Sequence, residues 1–172
     1  MLFRSVGFFQ SEKYFKHIEH EIRKDFTFHD RISSICNHYM KSVYSGTEVI
    51  SLHVRRSDYL TNCNFFNLTL DYYFDALKKL PCLPVIVFSD DLEWCQEIFK
   101  EKRFNVSLSK NSFIDLCLMS LCDYHIIANS SFSWWGSWLA NSKQTIAPSK
   151  WFSEDFSSWD TKDLYLPNWI VV

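Results

Sequence analysis

The sequence predicts an α/β fold, a doubly wound parallel sheet, and three observations carry that prediction. Short apolar runs at 84–88 and 124–128 lack the polar alternation of a half-solvated strand, as strands covered on both faces do, and the run at 50–54 is read as a buried strand with them. Segments with apolar residues at three- and four-residue steps fall between them, at the spacing of strand–helix–strand units. Charged or hydroxyl side chains close the runs, at the strand ends where open α/β sheets bind ligands.

Ser11 is placed to cap a helix running to about residue 28, with Phe15, Ile18, Ile22 and Phe26 on one face. His17, Glu19, His20, Arg23 and Lys24 fall on its solvated side. A second helix, 32–43, carries Ile32, Ile35, Tyr39 and Met40, and Gly46 turns the chain into the first strand. Within that strand Ile50, Leu52 and Val54 share one face, while His53 and Arg55 share the other. The polar and aromatic stretch 61–70 forms a loop, after which Asp71 caps a helix to Lys79. Pro81 and Pro84 bracket the turn into strand 84–89. A helix over 92–100, a strand over 104–108 and a helix over 112–122 follow. Strand 124–128, a short helix through Trp138 and a last strand over 144–147 complete the alternation. Gly136 lets the tryptophan-rich helix approach its neighbour, with Trp134, Trp135 and Trp138 facing the sheet.

Composition narrows the function classes. The 172 residues fit one domain, 1–172, with a helical lead-in over 1–44. A net charge of −2 provides no general basic face, so nucleic acid is excluded as a partner. Only three glycines occur, which excludes a GxGxxG dinucleotide loop and a Walker A loop. The six cysteines form no CxxC pair and no zinc spacing, and read as reduced core residues. The amino-terminal stretch carries no signal-peptide pattern, and no apolar run has membrane-spanning length. The expected location is cytoplasmic, or peripheral at the inner face of the membrane.

Two stretches concentrate the chemistry. In HVRRSDYL, 53–60, a buried strand ends in His53, Arg55, Arg56 and Asp58. A guanidinium there suits bidentate contact with phosphate or carboxylate, or forms a structural ion pair with Asp58 or another carboxylate. In ANSSFSWWGSWLA, 128–140, Asn129, Ser130, Ser131 and Ser133 gather at a helix N-terminus, an anion-binding position. Plain capping by one serine accounts for one hydroxyl of the cluster. Asp90 and Asp91 either cap the following helix or form a carboxylate pair. Ser112 and Asp115 have the form of a capping box. His125 reads as a core histidine.

Together these stretches resemble the bacterial α-1,2-fucosyltransferases, the family 11 glycosyltransferases, and GFFQSEKYF at 7–15 and FSDD at 88–91 fit as well. The resemblance implies a Rossmann-like donor domain, one half of a GT-B-like fold. It implies GDP-fucose as donor substrate, no metal or other cofactor, and inverting transfer of L-fucose to a galactose 2-hydroxyl of a glycan acceptor. Arg55 would contact the diphosphate with His53 beside it, while Arg56 and Asp58 brace the turn and Asp90 adjoins it. Ser130, Ser131 and Phe132, with Asn129 and Ser133 alongside, would receive the phosphates. Asp115 would hold guanine or ribose, and His53 and Asp58 are the candidate acceptor bases.

Family members open with a Gly-rich stretch and an acceptor-side domain, which this sequence does not include. The expectation is a donor domain that works with a separate amino-terminal domain or as a homo-oligomer. The alternatives are a catalytically inactive GDP-sugar-binding or interaction module, and a structural fragment that binds nothing.

Overall fold

A strand that can bury both faces belongs in the middle of a parallel sheet, and the strand at 50–54 occupies that place. A computed structural model describes residues 7–140, 142–156 and 158–172. The chain runs α1 (Glu19–Asp25), α2 (Asp30–Tyr44), β1 (Ile50–Val54), α3 (Leu70–Lys78), β2 (Val85–Ser89), α4 (Leu92–Ile98) and β3 (Phe104–Val106). It continues through α5 (Ser112–Ser120), β4 (Tyr124–Ile126), α6 (Ser131–Leu139), β5 (Gln144–Ala147) and β6 (Ile170–Val171). All strand pairs are parallel, in the order β3-β2-β1-β4-β5-β6.

Side-chain alternation sorts the core into two layers, as the sequence requires. Ile50, Leu52 and Val54 pack with Val85, Val87, Ile126 and Ile146 beneath Tyr73, Ala76 and Leu77 of α3 and Cys95 of α4. On the other face Val49, Ile86 and Phe88 meet Cys36 and Tyr44 of α2 and Cys117, Leu118 and Met119 of α5. Ile127 and Ala147 extend that face under Trp134 and Trp138 of α6. Helices therefore cover both faces, and the fold is doubly wound.

The elements differ from their sequence reading in instructive places. The lead-in is not one helix: two 3-10 turns, Glu12–Tyr14 and Lys16–Ile18, precede α1, and its first six residues lie outside the described region. Phe15 breaks it with φ −139°, because its ring is buried against Trp135 at 5.2 Å and Trp138 at 5.0 Å. Arg23 is not simply solvated. It lies 4.0 Å over the Trp138 ring and donates to the carbonyls of Trp138 and Leu139, closing the C-terminus of α6. Thr69 rather than Asp71 is the N-cap residue of α3. The sheet does not end at β5, since the two residues of β6 pair with it. Cys63 and Cys82 are exposed, whereas the other four cysteines are buried and free.

Gly136 lies at a close contact between α5 and α6. A Cβ at this position would stand 2.8 Å from Met119 Sδ and 3.0 Å from Met119 Cβ, so α5 and α6 touch where only hydrogen fits. Gly136→Ala is expected to lower stability by about 1–3 kcal/mol through overpacking, read as a shifted urea midpoint. An unchanged midpoint would mean that the two helices separate freely.

Candidate anion-binding site

The strand order reverses between β1 and β4. From β1 the chain first builds outward through β2 and β3, then returns to place β4 on the other side. In open α/β sheets the crevice at such a reversal is the ligand site. The residues after β1 and those after β4 are the two stretches singled out in the sequence, and here they are neighbours. His53 and Phe132 have ring centroids 5.7 Å apart, and the Tyr59 hydroxyl donates to the Asn129 carbonyl at 3.0 Å.

Arg55 is held from two sides, its Nη2 at 2.6 Å from Asp58 and its Nη1 at 3.0 Å from Asp90, with the guanidinium carbon 5.2 Å from the Tyr59 ring centroid. The structural ion pair is thus present, and it orients Arg55. A guanidinium carries five N–H donors, so two carboxylate contacts leave others for a ligand. Arg56 points to the opposite layer, pairing with Asp91 at 3.1 Å and lying 4.1 Å over Trp94 of α4. Its backbone N–H donates to Asp90, and Ser57 Oγ donates to the Asp90 carbonyl. Asp91 accepts from the Trp94 N–H and caps α4. Asp91 thus takes the capping reading, while Asp90 orients Arg55, and the two carboxylates engage separate arginines.

At the start of α6, Ser130 is the cap, its hydroxyl accepting from the Phe132 N–H at 3.3 Å. Ser131 is half-buried and makes no side-chain hydrogen bond among the described residues. Ser133 turns inward. It is 2% exposed, and its hydroxyl donates to the carbonyls of Ala128 and Ser130. Asn129 is also interior, its amide donating to Phe66 at 2.8 Å and Trp151 at 2.7 Å. Ser131 and Phe132, both half-buried, are left as the outer residues of this turn, with Ser130 7% exposed beneath them.

Asp115 is not part of a capping box. Asn111 caps α5, accepting from the N–H groups of Phe113 and Ile114. The Asp115 carboxylate instead accepts from Ser107 at 2.6 Å and Ser109 at 2.8 Å. Those serines line a cavity of about 410 Å³ with Ile35, Tyr39, Leu108 and Ile114. It lies at the end of β3, two strands or roughly 10 Å across the sheet from β1. Ser107, Ser109 and Tyr59 are the residues that motif reading missed. The signal for the serines is a Ser-x-Ser directly after a short strand.

These features define a doubly wound α/β domain with a polar crevice at the reversal of its strand order. The chain belongs to glycosyl transferase family 11, whose model matches residues 1–172. It is 38% identical over 171 residues to an alpha-1,2-colitosyltransferase of Escherichia coli, a match covering 90% of this chain and 58% of that protein. It is 35% identical over 158 residues to the O-antigen biosynthesis glycosyltransferase WbnK of Escherichia coli, covering 82% and 52%. Galactoside alpha-(1,2)-fucosyltransferase 1 of Ateles belzebuth matches at 23% identity over 96% of this chain and 51% of its own. The chain thus spans little more than half the length of these relatives. Among solved structures, fucosyltransferase NodZ from Bradyrhizobium superposes with a TM-score of 0.47 at 20% identity, covering 64% of this chain and 42% of that one. No helix among the described residues is long and apolar enough to cross a membrane.

Two buried histidines, His53 and His125, tie the stability of the fold to pH. Burial brings His53 down to about 4, with Asp90 opposing and Arg55 reinforcing the shift. Burial does the same to His125, also to about 4, against a hydrogen bond with the Cys122 backbone. Both lie below the ordinary value near 6.5, so between those limits the folded chain binds fewer protons than the unfolded one. Stability is complete above about pH 6.5 and falls as pH drops toward 4, each histidine contributing up to about 3 kcal/mol of the loss. Denaturant titrations at stepped pH values check this; a flat midpoint from pH 7 to 5 contradicts it.

Proposed function

We propose that this chain binds GDP-fucose and serves inverting α-1,2 transfer of L-fucose to a galactose 2-hydroxyl of a glycan. One observation carries the reading: the reversal of strand order brings the turn bearing Arg55 beside the N-terminus of α6. The diphosphate would lie between the guanidinium and the α6 amides, where charge of the departing GDP accumulates. Donors already aimed at that position act most strongly in the transition state. Family membership and relatives named for α-1,2 transfer support the linkage. The cavity next to Ser107 and Ser109 would take guanine, with Asp115 holding those two serines in place.

As the C1–O bond to GDP breaks, the acceptor hydroxyl attacks C1 from the opposite face and loses its proton. Asp58, with its side chain 56% exposed at the crevice, is our candidate for that proton. His53, buried under Phe132, would contact the nucleotide instead. In this reading the chain is the donor unit of a GT-B-like enzyme, and the guanidinium and helix amides do the work of a metal. A second reading, a colitosyl donor, is favoured by the 38% identity to the colitosyltransferase; transfer assays offering both donors decide between them.

Calorimetric titration with GDP in excess EDTA tests the donor site, and an absolute magnesium requirement would sink it. Arg55→Ala is expected to weaken GDP by about 10- to 100-fold, since it removes a charge-assisted contact and leaves Asp58 and Asp90 facing the anion. Arg56→Ala should instead reduce stability, with a smaller change in affinity, because Arg56 is engaged with Asp91 and Trp94. Equal losses of affinity in two folded variants would refute the assignment.

A further inference from the structure

A second cleft adjoins the crevice on the far side of Tyr59. Its volume is about 390 Å³, within the range of roughly 300–1,000 Å³ typical of small-ligand sites. One wall is apolar, formed by Phe65 and Phe66, both half-buried, with Tyr59, 7% exposed, stacked against Phe65 with centroids 4.3 Å apart. The other is polar and carries Thr61, Asn67, Ser153 and Glu154. The Ser153 hydroxyl is buried there without a hydrogen-bond partner among the described residues.

The walls are fixed to each other and to the anion site. Phe65 pairs with Phe152 in an antiparallel bridge, and the Ser153 N–H donates to the Asn64 carbonyl at 3.0 Å. Asn129 ties the carbonyls of Phe66 and Trp151 together from below. Arg55 covers the Tyr59 ring, so the cleft opens one aromatic ring away from the guanidinium.

We propose that this cleft is a subsite for the acceptor glycan, taking a neutral pyranose. Such a ring has an apolar C–H face, which suits the aromatic wall, and a rim of hydroxyls, which suits amide, hydroxyl and carboxylate partners. Among the described residues no cationic side chain lines the cleft, and Glu154 repels an anion, so a second phosphate group is disfavoured. The inference rests on the fucosyl-transfer reading and extends it, because acceptor contacts then belong to this chain as well as to any further domain.

The probe is N-acetyllactosamine, observed by saturation-transfer NMR on the full chain with GDP present. Asn67 and Glu154 are exposed and make no hydrogen bond among the described residues, so Asn67→Ala and Glu154→Gln leave the fold intact. Each is expected to weaken the disaccharide by about three- to tenfold, with GDP affinity and melting temperature unchanged. Full disaccharide affinity in both variants overturns the subsite, as does a wild-type chain that binds GDP but not the disaccharide. Failure of the wild type to bind GDP overturns the donor reading, and the subsite with it.

Discussion

Burial of β1 on both faces is the constraint from which the remaining arrangement follows. Ile50, Leu52 and Val54 are wholly enclosed, and His53 between them is only 5% exposed. A strand so covered needs a hydrogen-bonded neighbour on each side and a helical layer above and below. β2 and β4 supply the first, and α2, α3, α4 and α5 supply the second. The chain can leave such a strand only at its ends, and at the carboxyl end it emerges directly as two arginines. Charge is tolerated there because solvent and three aspartates are within reach.

Those aspartates define the electrostatic character of the crevice. Asp58, Asp90 and Asp91 surround Arg55 and Arg56, so the cluster carries no excess of positive charge in the absence of ligand. Attraction of an anion then depends on short-range donors in fixed positions rather than on a long-range field. Exposed ion pairs contribute little stability, and the value of these contacts lies in orienting the guanidinium groups. Arg56 shows the division of labour: its side chain is committed to α4, while its backbone N–H holds Asp90 in place for Arg55.

Local pattern carried the strands and most helices, because the period of burial is written directly in residues such as Ile50, Leu52 and Val54. It also carried the facing of Arg55 and Arg56, the Asp91 cap and the tight approach at Gly136. What it did not carry depends on contacts distant in sequence. The break at Phe15 exists because three tryptophans more than a hundred residues away enclose its ring. β6 is two residues long, too short for any periodicity, and exists through pairing with β5. Asp115 looks like a capping partner until β3 brings Ser107 to it. Asn129 and Ser133 look like ligand donors because hydroxyl and amide groups cluster at a helix start. Only the packing shows that both turn inward.

Asn129 has a consequence for the cost of ligand capture. Its side-chain amide holds the carbonyls of Phe66 and Trp151 and its backbone carbonyl holds the Tyr59 hydroxyl, so the segments following β1, β4 and β5 meet at one residue that is 1% exposed. Immobilising a mobile, rotamer-rich side chain at a binding surface costs about 0.5–1.5 kcal/mol, and ordering loops costs more. Here that entropy is surrendered when the chain folds. A ligand therefore arrives at a rim that is already set, and its contacts appear in the affinity with little deduction for rearrangement.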